Sequence, residues 1–259
     1  MIEKITENPV KFSVISAFGL ALFWRGAIIF AGEIFEENVS GILSVSVINI
    51  FAAAFAMFLL GVANRKNGFK MVFRAKGFVK GLKALFPVAI LFTVFLLFGV
   101  IPAEYMRFEN LEFLPGIIVV IATTIFTQII LAWGLLVTAL LYKESGTSRA
   151  RVRAVFKGTA LFLVLYIIMQ GNVGPVQLVN TFIAGAGMCA AYMYSKNLLN
   201  LAMVQITYHV LGSVIDLTAV GDTTQIPVVL IAPLVGAWVF VIVFAVKFAR
   251  RAESFVRNV

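Results

Sequence analysis

Apolar residues run along this chain in blocks of about twenty, separated by stretches where charges and turn formers collect. A helix of that length crosses a hydrocarbon layer of ~30 Å, because each helical residue rises ~1.5 Å. Eight such spans can be drawn, over 12–32, 41–63, 84–103, 115–142, 158–174, 176–195, 198–219 and 227–248. The fifth needs its Gly-rich tail to reach across. The pattern predicts an all-α polytopic transmembrane helix bundle of about eight spans, forming one integral membrane domain over 1–259. The first apolar run exceeds a ~7–15-residue signal core and follows Glu3 and Glu7, so it reads as a retained span.

Composition agrees. The chain is 61% hydrophobic and 13% charged, more apolar than a water-soluble domain, which stops near half. A net charge of +9 raises the question of nucleic acid, and the placement of the charges answers it. Loop 64–83 carries Arg65, Lys66, Lys70, Arg74, Lys76, Lys80 and Lys83 without an acid. Loop 143–157 carries Lys143, Arg149, Arg151, Arg153 and Lys157 against Glu144, and the tail holds Lys247, Arg250, Arg251 and Arg257 against Glu253. Glu33, Glu36 and Glu37, then Glu104, Glu109 and Glu112, then Asp222, fall in the alternate loops, with Arg107 as their lone base. Positive charge collects on the cytoplasmic side, so both termini are expected inside, in a plasma membrane, with lipid rather than nucleic acid as the surrounding partner.

Polar groups inside the spans are the candidates for chemistry. His209, the single histidine, lies within the seventh span after a two-residue break at Lys196–Asn197. A titratable ring at membrane depth is a functional-site hypothesis by default, here either a metal ligand or the remnant of a metal site. Arg25 in the first span either snorkels outward or pairs with an acid such as Glu33 or Asp216. The sixth span is crowded with Ala184, Gly185, Ala186, Gly187, Cys189, Ala190 and Ala191, which lets backbones approach closely and predicts a central helix. Cys189 is the single cysteine and reads as part of that packing set. Pro175, Pro227 and Pro233 suit span starts, where a missing N–H costs little. Trp24, Trp133 and Trp238 fall inside spans, and Asn38-Val39-Ser40 matches a glycosylation sequon.

The order of the later spans carries a resemblance. A basic stretch leads into LFPVAILFTVFLLFG, the fourth span ends in GLLVTALLYK, and SRARVRAVFKGTALFLVLYI follows. A GNVGP turn, the small-residue span and the His209 span come next. This arrangement resembles the CPBP family of intramembrane metalloproteases, the CAAX prenyl endopeptidases and bacteriocin-processing or self-immunity proteins. The resemblance covers about 76–216, leaving two N-terminal spans and a basic loop in 1–75 and a last span and basic tail in 227–259. It implies EExxxR on the fourth span, FxxxH on the fifth and HxxxN or HxxxD on the seventh, around a zinc-bound or directly activated water.

Few of those groups are present. Aligning on Gly134 puts Gln128 and Ile129 at the paired-glutamate positions and Trp133 at the arginine. Phe162 matches the motif phenylalanine, Tyr166 stands at the second histidine, His209 matches, and Ser213 replaces the Asn or Asp. Catalytic zinc takes three protein ligands and a water. The nominal set here is Cys189, His209 and Asp216, and the last two are about two turns, ~10 Å, apart along one helix. No cofactor is therefore expected, zinc included. An amide at Gln128 cannot take a proton from water, and Trp133 cannot stabilise an oxyanion as arginine would. Gln128, Tyr166, His209 and Ser213 are expected to form a neutral hydrogen-bonded cluster. The replacements imply a membrane protein without metalloprotease activity, serving as a binding, immunity or complex-assembly partner for a membrane protein or peptide. Two other readings stand beside it: an active endopeptidase cleaving prenylated or membrane-embedded peptides, and a transporter or channel subunit.

Overall fold

The computed structural model describes residues 8–34, 39–67, 77–97, 114–138, 140, 147–170, 174–214 and 228–252. The described segments are helical: α1 (Pro9–Ile34), α2 (Val39–Asn67), α3 (Phe78–Leu97), α4 (Leu114–Ile129, prolonged by a π segment Ile130–Val137), α5 (Ser148–Gln170), α6 (Pro175–Ser195), α7 (Leu198–Val214) and α8 (Val228–Arg251). Seven are long and apolar enough to cross a membrane, and α7 is a shorter apolar helix. The fold is a polytopic membrane helix bundle. Its outward faces say the same, since Phe23 is 74% and Phe51 72% exposed, positions tenable in hydrocarbon rather than water.

Several helix ends differ from the expected spans. Helix α3 begins at Phe78 rather than 84, and α5 at Ser148 rather than 158, so Lys80, Lys83, Arg149, Arg151, Arg153 and Lys157 are helical. Lys and Arg are good helix formers whose stems lie along the helix while their heads reach water, so these helices continue past the apolar core. Pro233 lies inside α8 rather than at its start, and Pro87 lies inside α3. Neighbouring helices make such prolines tolerable at membrane depth. The expected ends at 103 and 219, Pro227, Asp216, Asn38 and most of the acidic loop residues fall outside the described residues.

Helix α6 is central, as its small residues predict. It packs against α3, α5 and α8, and Ala186, Cys189, Ala190 and Ala191 are fully buried. A Cβ placed on Gly187 would press on Val88 of α3 and Val241 of α8 at once. A second group forms from α1, α2 and α4. Helix α7 bridges the two groups, packing on α3 and on α4.

Two features fix the ends and middle of this arrangement. Lys196 takes the left-handed conformation (φ 55°) and its N–H bonds to the Tyr192 carbonyl, closing α6. The Asn197 side chain then accepts the Leu199 N–H at 2.9 Å and opens α7. The predicted break is therefore a C-cap followed directly by an N-cap. Between α1, α2 and α4, the Trp24 indole donates to Asn49 Oδ1 at 2.8 Å, and Asn49 Nδ2 donates to Thr124 at 2.8 Å and Thr123 at 3.2 Å. Thr127 completes the set by donating to the Asn49 carbonyl at 3.0 Å.

At one end of the bundle the Arg151 guanidinium caps the C-terminus of α8, donating to the carbonyls of Ala249 (3.2 Å) and Arg250 (3.0 Å). The Lys80 ammonium lies 4.2 Å from the Tyr194 ring centroid there. Basic residues from α3, α5 and α8 thus share one end with Lys196, the C-cap of α6.

Interhelical hydrogen bonds in membranes average ~0.6 kcal/mol each, and leaving a buried donor unpaired costs a further ~1–3 kcal/mol. Asn49→Ala is expected to destabilise the bundle by about 1–3 kcal/mol, on the same principle, in reversible unfolding from mixed micelles. Thr93→Ala, which removes only an exposed bond to the helix's own Ala89 carbonyl, should change little.

Candidate functional site

The polar and aromatic positions singled out by sequence fall on α4, α5 and α7, and the structure divides them into groups. Trp133 is fully buried in the π segment, all eight residues of which are buried. Its ring lies 4.7 Å from that of Phe162, tilted by 33°. Phe162 is in turn 6.1 Å from Tyr166, one turn further along α5. These three make a continuous aromatic ladder between the π segment and α5. Room for it comes from α6, where a Cβ on Gly185 would meet the Phe162 ring at 3.0 Å.

The end of the ladder is polar. The Tyr166 hydroxyl accepts a hydrogen bond from Gln177 Nε2 at 3.0 Å. Tyr208 stacks on Phe92 at 4.1 Å, with the rings within 16° of parallel, and meets the His209 ring edge-on at 5.0 Å. His209 is half-buried on α7. The stacking of Tyr208 on Phe92 ties the His209 helix to α3, a role that sequence comparison with a motif does not reveal.

The remaining positions are distributed differently. Ile129 is fully buried and Gln128 is buried. The Ser213 side chain lies outside the described residues. The Tyr166 partner Gln177 is an amide on the first turn of α6, in reach because α5 and α6 pack side by side. Its sequence signal was a polar residue in an apolar span, shared with Asn180, Asn200 and Gln205. Of these, Asn180 Oδ1, Gln205 Oε1 and both ends of the Asn200 amide are buried without a partner among the described residues.

No family model, curated protein or solved structure matches this chain. Its chemistry must be read from the geometry alone. Among the described residues, no three of His, Cys, Asp and Glu lie together in a way that holds a metal ion. Cys189 is fully buried within the α6 packing face. The aromatic neighbour of His209 is Tyr208, and a phenol is not an ordinary zinc ligand.

Such groups can orient a neutral polar ligand or lock helices together. The Tyr166–Gln177 bond is the testable element. A double-mutant cycle of Tyr166→Phe and Gln177→Leu should give a coupling of about 0.6–1.7 kcal/mol, the span measured for such bonds in membranes. Zero coupling would show that the bond contributes nothing to holding α5 on α6.

Proposed function

We propose that this protein is a CPBP-like intramembrane scaffold that binds a membrane protein or peptide and carries out no metal-dependent hydrolysis. The observation behind the reading is the aromatic ladder. Where the resemblance calls for an arginine and a second histidine, Trp133 and Tyr166 stand, packed through Phe162 at 4.7 and 6.1 Å. A ring in the arginine position fills space and supplies no charge for an oxyanion. A phenol bonded to an amide is a poor base near neutral pH. His209 keeps its place on α7 as an aromatic neighbour of Tyr208. A binding, immunity or complex-assembly role uses shape and neutral hydrogen bonds, and these residues supply both.

The same reading puts the basic end of the bundle, and both termini, in the cytoplasm of a cell whose plasma membrane holds the protein. Arg151, Lys80, Lys196 and Arg250 lie at that end, supporting one orientation for all the helices that reach it.

Two measurements test the proposal. Purified protein should contain no stoichiometric zinc and should leave prenylated and membrane-embedded peptides uncut. Cleavage that disappears in His209→Ala would replace the scaffold reading with the endopeptidase one. For orientation, the buried Cys189 gives a quiet background. A Ser148→Cys variant should react with a membrane-impermeant maleimide in inside-out vesicles and stay unlabelled in intact cells. The reverse pattern would invert the topology.

A further inference from the structure

Helices α6 and α8 run parallel, with the same offset at two successive contacts. A Cβ on Gly187 would meet Val241, and seven residues later the Tyr194 ring lies 5.1 Å from that of Phe248. From Phe248 the rings continue back along α8, to Phe244 at 5.9 Å and then to Phe240 at 4.6 Å. Eight helical steps carry this strip about 12 Å from the basic end toward the middle of the bundle. Two ammonium groups stand on its upper part. Lys80 of α3 lies 4.2 Å from the Tyr194 centroid, and Lys247 of α8 lies 4.8 Å from that of Phe244.

The strip faces sideways into the bilayer. Its four rings are half-buried, and beside them Val79 of α3 is 63% and Val243 of α8 56% exposed. Long side chains on a helix lean toward its N-terminus. The Lys247 ammonium accordingly stands over a ring one turn deeper than its own backbone, on the lipid-facing side. A ring attracts an ammonium through its quadrupole and neutralises none of its charge. Among the described residues the carboxylate side chain is Glu33, on α1, whose packing partners are α2, α5 and the π segment.

The chemistry of the strip selects what covers it. An uncharged chain alone would leave two ammoniums in an apolar surround, and a soluble anion would leave the rings below them uncovered. A zwitterionic headgroup would bring a third cation beside the two lysines. We propose that Lys80 and Lys247 bind the phosphate of an anionic phospholipid in the leaflet on the basic side, with its acyl chains lying along Phe248, Phe244 and Phe240. Each ammonium carries three N–H donors, and those turned away from the ring are available to phosphate oxygens. Basic groups set between helices at a membrane surface suit such headgroups. The bound lipid ties α3 to α8 across the end of α6. The site is independent of whether the Trp133–Phe162–Tyr166 region is catalytic.

The test is headgroup selection by the whole protein in nanodiscs holding equal amounts of phosphatidylglycerol and phosphatidylcholine with the same acyl chains. Native mass spectrometry reads which lipid stays bound on release. Wild type should retain phosphatidylglycerol in excess, and Lys80→Gln and Lys247→Gln should each lower that excess roughly fivefold, the share of one basic group at a membrane surface. Lys247 is exposed, so its variant keeps the test decisive if Lys80→Gln fails to fold. Arg149→Gln removes an equal charge at an exposed position of α5, a helix that contributes no ring to the strip, and should keep the wild-type ratio. Equal retention of the two lipids by wild type would overturn the proposal, as would an unchanged ratio in Lys247→Gln. So would an equal fall in Arg149→Gln, the mark of diffuse charge, or displacement of the lipid by inorganic phosphate, the mark of a site for soluble anions.

Discussion

Gly187 sits where α3, α6 and α8 converge, and a single methyl group there would strike valines on both neighbours. In lipid, helices gain nothing from hiding apolar surface, because acyl tails are as apolar as leucine. What remains is close packing, and the small face of α6 makes it available on three sides. The Gly185 contact with Phe162 and the Gly158 contact with Cys189 belong to the same set. Ala or Gly at these places brings α5 near enough to α6 for Gln177 to reach Tyr166. The Trp133–Phe162–Tyr166 ladder is thus a consequence of backbone approach along one helix.

A second constraint acts on polar groups. In the α1–α2–α4 group, one asparagine gathers an indole and two threonine hydroxyls, and its own carbonyl receives a third. Nothing in that cluster is charged, and each bond crosses between helices. The α5–α6–α7 region has the same character, with phenols, amides and one imidazole in place of acids and metals. Together they describe a membrane interior whose polarity serves to fix helix positions, with several amides on α6 and α7 left available.

Much of the bundle was legible in the sequence because hydrocarbon permits few compromises: apolar blocks of spanning length had to be helices. The central position of α6 followed from its glycines and alanines, and the α6–α7 break from Lys196–Asn197. The helix starts at Phe78 and Ser148 were hidden, since basic residues mark where lipid ends and say nothing about where hydrogen bonding stops. The contact of Trp133 with Phe162 at 4.7 Å joins the π segment to α5. The Gln177 partnership and the stacking of Tyr208 on Phe92 could not be read in the sequence, because they arise from packing between segments that share no local pattern. The π segment had no sequence signal either, as Ile130–Val137 reads like any apolar helix.

That segment has a consequence for how the fourth helix can be compared or altered. Thr138 bonds through its N–H and its hydroxyl to the carbonyl of Trp133, five residues back, and its hydroxyl also meets Tyr192 at 2.7 Å. A widened turn holds more residues than an α turn of the same height, so the segment stores chain length without lengthening the helix. Returning it to α geometry would turn everything beyond it by about 100° for each residue of slack. Thr123, Thr124 and Thr127, which serve Asn49, lie before the widened turns, and Thr138, which serves Tyr192, lies after them. The two ends of one helix are thereby keyed to different neighbours with a phase offset between them, and positions on opposite sides of the offset cannot be matched by counting in steps of four.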